Sequence, residues 1–157
     1  MSVWHELLTP LVRAAVTRMV RPPSGLAMID RLSAQLGWSL HERRGDAAVL
    51  QFSDPIAGSR TLYVRPVENG EAVFMTASLV VFGSVPQVVT EYLLARNAQL
   101  VAGAWSASVV ERGTMLFLVH RTALGSLTAV AFHDLCEALV REAQCLDSQF
   151  RAAGISA

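Results

Sequence analysis

The sequence predicts an α+β fold, an antiparallel sheet with helices packed on it, in the order α-α-β-β-β-α-β-β-α. Apolar side chains recur with a 3.6-residue period over residues 3–20, 26–36, 84–101 and 127–150. Between them lie shorter runs of apolar and β-branched residues, bounded by Asp-Pro, Asn-Gly and Gly turns. These runs form a group of three and a group of two, with one helix between the groups. All-antiparallel groups arranged in this way point to an α+β sandwich, not to a doubly wound sheet.

Residues 3–20 place Trp4, Leu7, Leu8, Leu11, Ala15 and Met19 on one side of a helix, and Pro22-Pro23-Ser24-Gly25 ends it. Residues 1–25 are thus an amphipathic helix with its linker, and 26–157 form the main domain. The second helix, 26–36, carries Ile29, Leu32 and Leu36, with Gly37 as its C-terminal cap. The first strand is 47–52. After a loop at Asp54-Pro55 and Gly58-Ser59 comes the second, 60–67. Pro66 cannot donate to a ladder, which suggests an edge for this strand. Asn69-Gly70 predicts a tight hairpin, because both residues tolerate positive φ. The third strand, 71–82, has an apolar odd face (Val73, Met75, Ala77, Leu79, Val81). Its even face is mixed, with Phe74 and Phe82 flanking Thr76 and Ser78.

Ser84 is a candidate cap for the middle helix and Pro86 suits its first turn. Its stripe is Val85, Val88, Val89, Tyr92, Leu93 and Leu100. Arg96 falls inside that stripe as either a snorkelling side chain or an interface ion pair. Gly103 ends the helix. A hairpin over 104–121 turns at Gly113, and its second strand is apolar on both faces. The last helix presents Phe132, Leu135, Leu139, Ala143, Leu146 and Phe150.

The chain of 157 residues is 52% hydrophobic and only 17% charged. It is richer in apolar residues than an average soluble domain, so it either buries much of its surface or keeps an apolar patch for a partner. Its net charge is zero and it has no lysine. Without clustered positive charge it is a poor nucleic-acid binder. No apolar run is long enough to span a membrane, and no signal peptide is recognisable. Cys136 and Cys145 lie nine residues apart on one predicted helix, too far apart for a disulfide, so free thiols fit a cytoplasmic location.

A search for chemistry finds little. His133 and Glu137 stand at i, i+4 with Cys136 nearby, but a metal site needs three or four ligands, and a solvated helix face fits better. No glycine-rich phosphate loop or nucleophile elbow is present. Glu68 with Glu71, and Glu137 with Glu142, read as turn and helix-surface charges. The expectation is a non-enzyme with no cofactor.

From about Leu26 to Phe150 the chain resembles the type III secretion chaperone-like fold, the Tir chaperone family and its uncharacterised bacterial relatives. The resemblance rests on the element order and on three stretches: "AMIDRLSAQLGWSL", "YLLARNAQLVAGAWSASV" and "FHDLCEALVREAQCLDSQF" with its Asp147. It implies a small cytosolic homodimer that holds an extended segment of a protein client against apolar strands. The alternative is a structural or regulatory homodimer with no secretion role. On this reading the middle helix supplies the dimer contact through Val85, Val89, Tyr92, Leu93 and Arg96. Phe74, Phe82, Leu116 and Leu118 are candidates for the client. The helix at 3–20 would then cover apolar surface that a client would otherwise meet.

Overall fold

The computed structural model describes residues 24–38, 42–54, 58–111 and 113–155. The helix expected at 3–20 lies outside the described residues. The elements are α1 (Gly25–Gln35), β1 (Glu42–Arg44), β2 (Ala47–Asp54), β3 (Gly58–Pro66), β4 (Glu71–Phe82), α2 (Gln87–Asn97), β5 (Ala104–Val110), β6 (Gly113–Ala123) and α3 (Ala129–Ala152). The strands form one antiparallel sheet in the order β1-β2-β3-β4-β6-β5. The predicted α+β class holds, and so does the order of elements from the second predicted helix onward, with one strand added. The extra strand β1 is Glu-Arg-Arg and fully exposed, so it carries no apolar alternation for a sequence pattern to detect.

The core lies between one sheet face and the three described helices. It joins Ile29 and Leu32 of α1 and Leu50, Leu62, Val64 and Phe74 of the sheet to Val89 and Leu93 of α2. Leu116 and Leu118 of β6 and Phe132, Leu139 and Leu146 of α3 complete it. Asn69 and Gly70 both take positive φ, 64° and 75°, as their pairing predicted. The sequence pattern left open which face of β4 is inside. Its even residues, Ala72 through Phe82, are buried beneath the helices, and the more apolar odd face is turned away. The polar Thr76 and Ser78 on the buried face are satisfied by hydrogen bonds, so composition alone does not decide which side is inside.

Three expectations are corrected. The strand ending at Pro66 is internal, paired with both β2 and β4; Pro66 sits at its last position, where the ladder ends. The middle helix begins at Gln87 after Pro86, with no side-chain cap, so Ser84 does not cap it. That helix stops at Asn97 rather than near Leu100. The Asn97 amide turns onto the backbone of Trp105, accepting from its N–H at 2.7 Å and donating to its carbonyl at 3.0 Å.

Candidate protein-binding surfaces

The edges of the sheet offer backbone groups to a partner. β1 pairs only with Ala47–Val49. The outer edge of β2 from Leu50 to Asp54 therefore has no strand partner among the described residues. Beside it runs a groove of about 480 Å³, lined by Trp38, Leu50, Gln51, Phe52, His133 and Glu137, among others. Trp38 follows the left-handed Gly37 (φ 70°) that turns the chain out of α1. Its indole meets Phe52 edge-on at 5.4 Å and lies 5.4 Å from the His133 ring. The groove thus has an aromatic floor, a strand edge on one wall and polar groups on the other. His133 and Glu137 do not form a metal site: His133 faces Asp134 at 3.1 Å and Glu137 pairs with Arg141 at 2.6 Å. Among the described residues no group of three His, Cys, Asp or Glu side chains could hold a metal ion.

A second surface lies on α2. Val89 and Leu93 point into the core, while Val88 and Leu94 are 70% and 65% exposed. Tyr92 is half-exposed and bonds to Gln149 of α3. Val85 packs against the margin of the core. Arg96 forms a two-pronged pair with Glu142 of α3, Nε to Oε1 at 2.9 Å and Nη2 to Oε2 at 2.5 Å. Trp105 Nε1 donates to the same carboxylate at 3.2 Å. Burial pushes the Glu142 carboxyl up, but the bonds from Arg96 and Trp105 and the Arg96 charge outweigh it and hold the group below its ordinary range. The pair thus joins two helices of one chain.

Phe74, Leu116 and Leu118 are fully buried and Phe82 is 8% exposed. All four lie beneath the helices, with Phe74 against Phe132 and Phe82 against Phe150. They build the core that carries the groove and are not open to a client in this conformation.

Sequence reading did not foresee a polar knot under the sheet. The β3–β4 ladder runs only from Pro66–Ala72 to Tyr63–Met75, and β4 bulges against β6 between Ala77 and Val81. Asp147 of α3 reaches into this break. It accepts from Ser78 Oγ at 2.7 Å and from the Leu79 amide at 3.0 Å, and pairs with Arg60. Arg60 in turn donates to the Ala77 carbonyl at 2.5 Å. Both charged side chains are about 95% buried. A lone acidic residue between Leu146 and Phe150 on an apolar stripe was the available signal.

No protein-family profile matches the chain, and no curated protein matches it by sequence. Solved structures do match in shape. The complex of the Yersinia pestis type III secretion chaperone SycH with a YscM2 fragment aligns at TM-score 0.55 and 14% identity, over 76% of this chain and 97% of that one. The Pseudomonas aeruginosa ExoU–SpcU type III secretion complex aligns at 0.56 and 21%, over 76% and 95%. The chain has the type III secretion chaperone-like fold. YbjN from E. coli aligns with it at 0.59 and 15%, over 82% of this chain and 93% of that one. Among the described residues no helix is long and apolar enough to cross a membrane.

Proposed function

We propose that the chain is a non-catalytic, chaperone-like binding module that works as a dimer in the cytoplasm and holds a partner's segment in extended form beside β2. The edge of β2 from Leu50 to Asp54, which has no strand partner among the described residues and lies above an aromatic floor, carries this reading. An extended peptide gains main-chain hydrogen bonds from such an edge, and alternate side-chain pockets select its sequence. Two solved structures of this fold are complexes with partner proteins, SycH with YscM2 and ExoU with SpcU. The dimer contact is assigned to the exposed side of α2, through Val88, Leu94 and Tyr92, because the buried side is already used by the core. The alternative is a regulatory homodimer without a client, favoured by the zero net charge and by the likeness to YbjN, whose structure was described under a proposed role as a transcription regulator.

Affinity purification of the full chain from its native cell, run beside Trp38→Ala, tests the client site. The expected result is a discrete partner bound by the parent chain and lost from a variant that still unfolds cooperatively. Equal capture by both would overturn the groove assignment. Light scattering tests the dimer: a mass near 17.0 kDa at every concentration would remove it.

A further inference from the structure

The sheet ends differently on its two sides. At one margin stands β1, three residues long, charged and fully exposed; short charged edge strands resist pairing with other chains. At the other stands β5, Ala-Trp-Ser-Ala-Ser-Val-Val, without a charge or a proline. Its register against β6 runs unbroken from Ala104–Val119 to Val110–Gly113, so no bulge twists it away. Ser106, Ala107, Ser108 and Val109 are all exposed.

Asn97 marks which backbone groups of β5 face outward. Its side-chain amide takes both the N–H and the C=O of Trp105, so these point away from β6. Every second residue of an antiparallel strand turns its backbone groups to the same side. Those of Ala107 and Val109 therefore also point outward, and they have no partner among the described residues. Asn97 thus occupies the edge at Trp105 and leaves it free at Ala107 and Val109.

We infer that β5 pairs antiparallel with β5 of a second copy, about a twofold axis through Ser108. In that register Ala107 faces Val109 of the second copy, and Val109 faces its Ala107. Each such pair exchanges both of its backbone bonds, so every outward group at Ala107 and Val109 is satisfied. Moving the axis to Ala107 would set Val109 against a Trp105 that Asn97 already holds. Moving it to Val109 would set Ala107 against Glu111, in the turn. The contact is isologous, and the uncharged side chains beside the axis bring no like charges together. A few main-chain bonds do not hold two proteins together without apolar area around them. Among the described residues, Val88, Tyr92, Leu94, Val101 and Val109 are five of the seven large apolar side chains left exposed. Asn97, the last residue of α2, ties the helix carrying the first three to β5. The contact rests on the dimer proposed for α2 and gives that dimer its register.

The test uses the full chain with Cys145→Ser, which removes the exposed native thiol. Ser106→Cys and Ser108→Cys are made separately in it. Both positions are exposed, and two residues apart they share one face of the sheet. On the axis, position 108 meets its copy at about 4.5 Å between Cα atoms, within disulfide reach. Position 106 stands about 14 Å from its copy along the strand. Diamide should therefore link Ser108→Cys into a covalent dimer and leave Ser106→Cys unlinked; equal linkage of the two, or none, would overturn the inference. Val109→Pro removes an outward N–H and no bond to β6. It should raise the dimer's dissociation constant about tenfold or more, because the twofold axis doubles each lost bond. Ser108→Asp sets two carboxylates face to face and carries the same expectation should the proline variant fold poorly. A dimer as tight in both variants as in the parent would overturn the strand contact and leave the dimer on α2. A parent mass of 17.0 kDa at every concentration would remove both.

Discussion

Replacing Asp147 by alanine is the sharpest test of how this sheet is held together. The substitution leaves the Arg60 guanidinium about 95% buried without its counter-charge and strips the Leu79 amide and Ser78 hydroxyl of their acceptor. Removing one partner of a buried pair costs about 3–5 kcal/mol. Domains of this size are stable by roughly 5–15 kcal/mol, so the variant should sit near the edge of folding. With a urea slope of about 2 kcal/mol/M, the unfolding midpoint should fall by about 1.5–2.5 M. Asp147→Asn keeps an acceptor for the amide and should fall less. The double variant R60L/D147L should be more stable than Asp147→Ala, because a buried pair exchanged for apolar residues is often neutral. Arg60 Nε also lacks a partner among the described residues, which lowers the native pair's net worth. A loss under about 1 kcal/mol for Asp147→Ala, typical of a solvated pair, would refute the reasoning.

Further outcomes follow from other parts of the fold. Burial raises the Cys136 thiol well above its ordinary range, while Cys145 is exposed. A thiol reagent at neutral pH should therefore modify one cysteine in the native chain and both after denaturation; two fast-reacting native thiols would contradict the packing of α3. Burial lowers the His120 ring below the ordinary 6.5, and its Nδ1 accepts the Gly103 amide at 3.0 Å. Glu142 is likewise held below 4.5. Both groups have depressed folded values, so their stabilisation is complete above the unfolded values. It is lost as pH falls below about 6.5 for the histidine and about 4.5 for the glutamate. Thermal midpoints should drop on acidification, and His120→Gln should remove the first part of that drop; a midpoint that rises on acidification would show the sign to be wrong. Val88→Asp with Leu94→Asp should halve the mass seen in light scattering while changing stability by under about 0.5 kcal/mol, as surface substitutions do; an unchanged mass would move the dimer contact elsewhere. Gly113→Ala would place a Cβ 2.3 Å from the Phe82 carbonyl, at φ 135°. It should cost about 1–3 kcal/mol, and a neutral result would mean that the hairpin joins β4 less closely than described.

Much of this architecture was readable because period and turn chemistry are local. The Asn69-Gly70 turn, the left-handed Gly37 and the buried stripe of α3 need only a few neighbouring residues to specify them. What the pattern left open or misplaced was set by distant partners. Which face of β4 lies inside is decided by α3, whose Asp147 satisfies Ser78 and so allows the more polar side to be buried. The length of α2 is decided by Trp105, eight residues beyond Asn97. The internal place of β3 depends on a ladder with β2 that Pro66 does not disclose. The groove at Trp38 was unreadable for the same reason: its walls come from the turn after α1, from β2 and from α3.

The strand order also has a kinetic side. β6 is the last strand in the chain, yet it lies between β4 and β5. β4 therefore keeps one edge open until β6 has been made. About 40 residues separate Phe82 from Ala123, which at roughly 5–20 residues per second is a wait of about 2–8 s during synthesis. The β5–β6 hairpin closes over two residues within microseconds and must then dock as a unit onto the waiting strand. Meanwhile β4 presents residues 72–82 without a single charge, the kind of segment that natural sequences usually flank with gatekeepers. Nascent chains on neighbouring ribosomes can pair along that edge before β6 arrives. The yield of folded protein should accordingly depend on how quickly translation passes residues 83–123, and much less on the stability of the finished domain.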